Sequence, residues 1–550
     1  MHTVFVRVKN SHGYKYLQIV ENKREGKKVK QRVLTTLGQF DALTESGKID
    51  DLTRSLAKFA STRTIIDAHR EGALQARRTL SIGPALVFDR LWQQLGIKEA
   101  IKEELSASRC RFSLERAIFL TVVHRLVDPG SDRAAERWKE DFQISGTEGI
   151  ELHHLYRAMG WLGEQSIQLG HDARSLRCRK DLIEEKLFGR NRDLFSELEL
   201  VFFDTTSLYF EGQGGESLGQ YGHSKDHRPD LKQMVVGAVL DGMGRPICCE
   251  LWPGNLTDVT SLIPVVKRLK SRFGIASVCV VADRGMISAE TIQKLESAEL
   301  GMSYILGARM HRDKTVRDEV LPSSAEFHVV TGAKKKAEDP SPLSVREQWV
   351  GGKRYIVCYN EDQARKDAAD RAAIVESLKE KLKSGDKSLV GNKGYRRYLK
   401  SAGAQHFTID EAKLAEEQRF DGMWVLRTNT TFAAADVALK YKQLWMVESI
   451  FRSAKSLLET RPIYHKVDDT IRGHVFCSFL ALVLRTELET RLEKRGEKLE
   501  WADINRDLRA LQEVEVQMNG KKLYLRTDLR GVCYTVLQAA GVAVPQTVRE

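Results

Sequence analysis

Three acids stand out in this chain for where they sit. Asp204 interrupts the apolar run VFFDTTSLYF at 201–210, whose aromatic and β-branched residues predict a buried strand. Asp283 closes a second such run, SVCVVADRGM at 277–286. Glu448 lies in YKQLWMVESIFRSAKSLL at 441–458, whose spacing predicts one amphipathic helix. A carboxylate in an apolar strand is unfavourable unless a hydrogen bond, a base or a metal ion pairs with it. Three acids from two strands and a helix can converge at one sheet edge and bind hard divalent cations through oxygen. Mg²⁺ takes few protein carboxylates and leaves positions for water and phosphate oxygens. Two ions roughly 3.5–4 Å apart stabilise both the attacking and the leaving oxygen of an in-line phosphoryl displacement. Each acid alone also reads as structural: a hydrogen-bonded core Asp204, a strand-end Asp283 beside Arg284, a solvated Glu448 paired with Arg452 at i+4. The segment order favours the joint reading.

The elements that must position them divide the chain. Residues 1–44 read as a small β-meander whose second connection, NKREGKKVKQR, is strongly basic. Residues 45–190 read as helix after helix, with basic side chains in HDARSLRCRKD (Arg174, Arg177, Arg179, Lys180), and suit DNA recognition. Residues 195–310 alternate strands and helices and carry Asp204 and Asp283. Residues 311–435 are a strand-containing insertion around a polar helix from Asp362 to Lys383. Residues 436–490 carry Glu448, and 491–550 form a C-terminal region assigned to dimerisation.

Composition narrows the partners. The 550 residues are 42% hydrophobic, ample for buried cores, and carry a net charge of +12, which favours a polyanionic partner. The eight cysteines are scattered without a CxxC pair, which points to a reducing compartment and away from structural zinc. There is no signal h-region and no apolar run near the ~20 residues of a membrane span, so a soluble cytoplasmic protein is expected.

These motifs together resemble the catalytic core of DDE transposases of the IS4 superfamily, most closely the IS1634 group of bacterial insertion sequences. The resemblance is carried by FFDTTSLYF, by GHSKDHRPDLKQMVVGAVLDGMGRPICCELWPGNLTD, by VVADRGMIS and by YKQLWMVESIFRSAK, across about 199–485. The superfamily's third acid sits in a Tyr-x2-Arg-x3-Glu-x6-Lys pattern. Tyr441, Glu448 and Lys455 match it, while Leu444 stands where the pattern has Arg. The resemblance implies an RNase H-like fold, a mixed sheet flanked by helices with a β-rich insertion. It implies Asp204, Asp283 and Glu448 as catalytic ligands of Mg²⁺ or Mn²⁺, two ions in all. Tyr441 and Lys455 would touch phosphates near the element's end, and Arg452 could replace the absent base. Trp424 would stack on a flipped base, or else pack as a strand Trp. Lys225, His227 and Arg228 would lie where DNA passes, or are solvated loop charge.

Asp258 reads as the N-cap of TDVTSLIPVVKRL. His465 and His474, nine residues apart, lack a metal-ligand spacing. The implied function is a transposase that cleaves at insertion-sequence ends and transfers the 3′-OH to target DNA, as a homodimer on paired ends. An RNase H-like nuclease without strand transfer and a DNA-binding protein with a decayed core are the rivals.

Overall fold

The computed structural model describes residues 3–25, 28–57, 69, 72–105, 112–165, 177–191, 199–275, 278–332, 341–383, 398–401, 407–518 and 520–550. Arg174, singled out above, lies outside them, as do Gly26 and Lys27 of the basic hairpin and Cys110, one of the eight cysteines. The chain forms two compact units.

One unit comprises Met1–Thr79, Gln512–Thr527 and Pro545–Glu550. Its strands Thr3–Ser11, Tyr14–Glu25 and Lys28–Gln39 pair in sequence as an antiparallel meander. A second sheet joins Leu74–Ser81 to the C-terminal strands Gln512–Met518, Lys521–Arg526 and Val548–Arg549.

The other unit, Leu80–Leu511 with Asp528–Val544, holds a nine-stranded sheet. Its strands are β1 (Leu200–Tyr209), β2 (Gln233–Asp241), β3 (Pro246–Pro253), β4 (Cys279–Ala282) and β5 (Ser303–Gly307). Four more follow: β6 (His328–Thr331), β7 (Leu343–Val350), β8 (Lys353–Tyr359) and β9 (Met423–Thr428). The spatial order is β6-β7-β8-β9-β5-β4-β1-β2-β3. Strands β1, β2 and β3 pair antiparallel, while β1, β4 and β5 run parallel. Order 3-2-1-4-5 with that mixture of directions is the RNase H-like arrangement. The insertion continues the same sheet beyond β5, through β9 and β8. Its long helix spans Glu361–Lys383, one residue longer than the sequence predicts.

Strand β1 is central, so both faces are covered and its residues read as a near-continuous apolar run. Its side chains alternate between two layers. Val201 and Phe203 pack with Leu262, Val265 and Leu269 of helix α2, Asp258–Arg272, which follows α1, Arg179–Arg190. Phe202, Leu208 and Phe210 pack with Val437, Ala438, Val447 and Phe451. Those four belong to α3 (Ala434–Lys442) and α4 (Trp445–Arg452). A third cluster fills the helical region: α5 (Asp468–Lys494) packs there against helices Leu114–Val127 and Leu152–Gly163.

The helix expected over 441–458 is two helices and a π-turn. The break falls at Gln443–Leu444, and Ser453–Leu457 is a π-helix after α4. Leu444 explains the break: its side chain is buried in the layer beneath β1, so the chain turns to insert it.

Candidate active site

Register brings the two strand acids together. Phe203 of β1 lies beside Ala282, the last residue of β4, so Asp204 and Asp283 follow side by side where the parallel pairing ends. The crevice outside the carboxyl ends of parallel strands is where α/β sheets place their ligands. By parity with Phe202, Asp204 points into the layer that carries α3 and α4. It is the one residue between Leu200 and Leu208 that is not fully buried, with 18% of its side chain exposed. The Thr205 N–H donates to its Oδ1 at 2.7 Å. Burial pushes the Asp204 carboxyl up to about 6. Lys225 and the Thr205 N–H oppose that rise, and the fields of Asp283 and Asp258 add to it.

Tyr441, on α3, donates its hydroxyl to Asp283 Oδ1 at 3.1 Å. Burial and that facing carboxylate raise the phenol's pKa, so the proton stays on Tyr441. The reach depends on Gly307 at the end of β5. A Cβ there would stand 2.5 Å from Tyr441 Oη and 2.9 Å from the Arg284 nitrogen.

Asp258 is not a helix cap: Thr257 holds that position, and Asp258 is the first helical residue. Its carboxylate turns to the site, where Oδ1 accepts from Thr205 Oγ1 at 2.6 Å. Lys225 joins the two layers. Its Nζ donates to Thr205 O at 2.7 Å and lies 3.3 Å from Asp258 Oδ2 and 4.0 Å from Asp204 Oδ1. The sequence placed Lys225 in a loop where DNA would pass, without its link to the acids, and missed Asp258 because an Asp after a Thr at a helix start is the ordinary signature of a cap.

Glu448 occupies the first turn of α4, exposed, and makes no hydrogen bond or ion pair with the described residues. Arg452 ends the same helix, also exposed. Lys455, in the π-turn, is bound by Asp226 at 2.7 Å. Arg228 pairs with Asp230 at 2.8 Å and lies over the Tyr209 ring. His227 has a left-handed backbone, φ 57°. Trp424 sits half-buried on β9, its indole N–H without an acceptor among the described residues and Lys442 Nζ 6.0 Å from its ring.

Asp204, Asp283 and Asp258 with a single ammonium among them form a hard-oxygen donor set with excess negative charge. That chemistry fits a divalent ion, and Lys225 marks where positive charge is favoured.

Two other charged groups do not fit one. His465 and His474 do come together, Nε2 to Nδ1 at 3.0 Å, with Asp132 3.5 Å from His465. The Arg125 guanidinium donates to the same His474 Nδ1 at 2.8 Å, and His474 Nε2 reaches Thr460 O at 3.1 Å. Both imidazole nitrogens are engaged and a fixed cation stands on one, so the trio is a strut between helices. The basic run after Arg174 is likewise taken up by acids. Arg177 pairs with Glu185, Arg179 with Glu164, and Lys180 is buried on Asp181 at 2.6 Å.

Residues 196–484 match the family model of the transposase DDE domain, more than half of the 550-residue chain. With the sheet order and the paired strand acids already described, the chain belongs to the DDE transposases. Residues 3–68 match the N-terminal domain of IS1634 family transposases, which places it in that group. Transposases of this class generally use divalent metal ions. No curated protein matches the chain significantly. A solved structure, the piggyBac transposase synaptic complex with hairpin DNA seen by cryo-EM, is similar at 12% identity. It covers 78% of this chain and 79% of that chain at a TM-score of 0.36, too distant to argue from. Among the described residues, no helix is long and apolar enough to cross a membrane.

Proposed function

We propose that this chain binds the ends of an insertion sequence, cleaves them and joins the freed 3′-OH to target DNA. The observation that carries the reading is the side-by-side placement of Asp204 and Asp283 where the parallel pairing of β1 and β4 ends, in the DDE-matching region. Asp204, Asp283 and Glu448 would hold two ions of Mg²⁺ or Mn²⁺, with Asp258 beside the two strand acids. When bound, such ions stabilise the entering and leaving oxygens of phosphoryl displacement.

The chain's own residues do the rest. Tyr441 fixes the rotamer of Asp283 through its hydroxyl. Thr205 and Asp258 hold the Lys225 ammonium against the acid pair, which limits repulsion between the carboxylates before substrate arrives. Water attacks the phosphodiester at the element end and the 3′-oxygen leaves with a proton. That 3′-OH then attacks a target phosphodiester, forming one bond as one breaks. Lys455, Arg452, Arg228, Lys225 and Trp424 supply contacts along the DNA, and Tyr441 adds one beside the acids. Both ends must be held together, which favours a homodimer in the IS4-type manner.

The test is cleavage and joining of a duplex carrying the inverted repeat that bounds the gene. Asp204→Asn, Asp283→Asn and Glu448→Gln are each expected to abolish Mg²⁺-dependent cleavage while leaving duplex binding intact. Retained cleavage in any one of them removes that residue from the site. Cleavage by the natural chain without joining of a 3′-OH end would make it a nuclease.

A further inference from the structure

We infer that Arg461 and Lys455 form a two-cation clamp for a DNA phosphate flanking the scissile one, with Asp226 as the positioning residue that holds both heads. The inference rests on the reading of the chain as a DNA-acting enzyme.

Asp226 is a loop residue whose side chain is only 6% exposed. Its Oδ1 takes Lys455 Nζ at 2.7 Å and its Oδ2 lies 2.8 Å from Arg461 Nη1. Two cations on one carboxylate leave a local surplus of positive charge. Arg461 keeps 27% of its side chain exposed, so part of its five-donor fork faces solvent. The guanidinium is held a second time, 5.4 Å from the centre of the Tyr209 ring. Arg228 lies 5.5 Å from the same ring. The loop that brings Asp226 is itself tethered: Lys225 N–H donates to Ser207 Oγ at 2.8 Å, and Ser224 Oγ accepts from Arg228 N–H at 3.1 Å.

A rigid fork with its stem fixed is the arrangement that binds a phosphate with least loss of freedom. Tyr209 lies five residues beyond Asp204 on β1, and Asp226 directly follows Lys225, whose Nζ stands 4.0 Å from Asp204 Oδ1, so the clamp borders the acids without sharing their carboxylates. The clamp therefore meets a neighbouring phosphate rather than the one at the acids. It also answers the departure at Leu444, which is buried in the core and leaves no base there. Arg452 is exposed with no side-chain partner among the described residues, whereas Arg461 is anchored twice.

The experiment is fluorescence anisotropy of the full chain with a labelled duplex of random sequence, because phosphate contacts do not depend on sequence. Binding is followed across a salt series. Arg461→Gln is expected to flatten the slope of log K against log salt by about 0.9, one phosphate contact. Arg461→Lys, which keeps the charge, is expected to keep the slope. Asp226→Asn is expected to weaken binding about tenfold, as a lost charge-assisted hydrogen bond would. Tighter binding by Asp226→Asn would overturn its positioning role, since a carboxylate that only repels DNA gives that result. An unchanged slope in Arg461→Gln would overturn the clamp. Should Arg461→Gln not fold, the natural chain gives the same answer: bound duplex is expected to slow phenylglyoxal modification of Arg461, and an equal rate with and without DNA would overturn the inference. Asp204→Asn serves as the control for the functional reading. A natural chain that binds no duplex defeats that reading, whereas normal binding with an unchanged Arg461→Gln slope defeats only the clamp.

Discussion

Two groups of charge in the same unit each hold three acids, and they answer them differently. The first lies between α1, α2 and β3. Lys180 meets Asp181 at 2.6 Å and Glu184 at 3.5 Å, while Arg268 meets Asp181 at 3.1 Å and Glu250 at 2.5 Å. No side chain of the five is more than 7% exposed. Burial pushes the Glu184 carboxyl up to about 7, so a proton helps to balance two cations against three acids. The second group is Asp204, Asp283 and Asp258, with Lys225 as the one cation paired with it among the described residues, 31% exposed. The first group is buried and close to neutral, and it ties α1 and α2 to β3. The second is open and short of positive charge, which is what an ion-binding site needs before its ion arrives.

The sharpest way to break this contrast is to unpair the closed group. Lys180→Met leaves Asp181 and Glu184 buried without their ammonium. A loss of about 3–5 kcal/mol in stability is expected, seen as a lower thermal midpoint, since a buried pair missing one partner leaves an uncompensated charge. Divalent-ion affinity at permissive temperature should not change; if it does, the two groups are not independent.

The matching change in the open group should act in the opposite sense. Lys225→Met is expected to tighten Mn²⁺ binding about tenfold by calorimetry, the order of a unit charge removed at ~4 Å in a solvent-exposed setting. Unchanged affinity would mean that Lys225 does not stand in for the ion.

A third effect, seen only below neutral pH, follows from Asp204. Its carboxyl, raised to about 6 chiefly by burial, must lose its proton to bind a metal. Mn²⁺ affinity should therefore be constant above pH 7 and fall as pH drops through about 6, by about tenfold at one unit below it if one proton is released. A flat profile across that range would assign the ion to other ligands.

The two strand acids were legible because each breaks an apolar run of strand type, and one register then sets them side by side. The polar helix of the insertion was legible by its length and charge. What was not legible depended on partners distant in the chain. Lys180 reads as surface charge until Arg268 and Glu250 are seen around it. Asp258 looks like a cap because its partners, Thr205 and Lys225, lie on another strand and a loop. The amphipathic spacing over 441–458 is real, yet burial of Leu444 outweighs helical continuity and breaks it. Strand content in the insertion could be read from alternation, but not that β9 and β8 would extend the sheet that carries Asp204.

Gly307 carries no functional group, and the acid pair still depends on it. The phenol of Tyr441 reaches Asp283 across a gap that one carbon atom would close. A methyl group there must either displace the phenol, leaving Asp283 free to swing, or lift the backbone at Arg284 and the end of β4 with it. The acid pair's geometry is thus written partly in an omission: a change that loosens Asp283 can arise at a position with no side chain of its own.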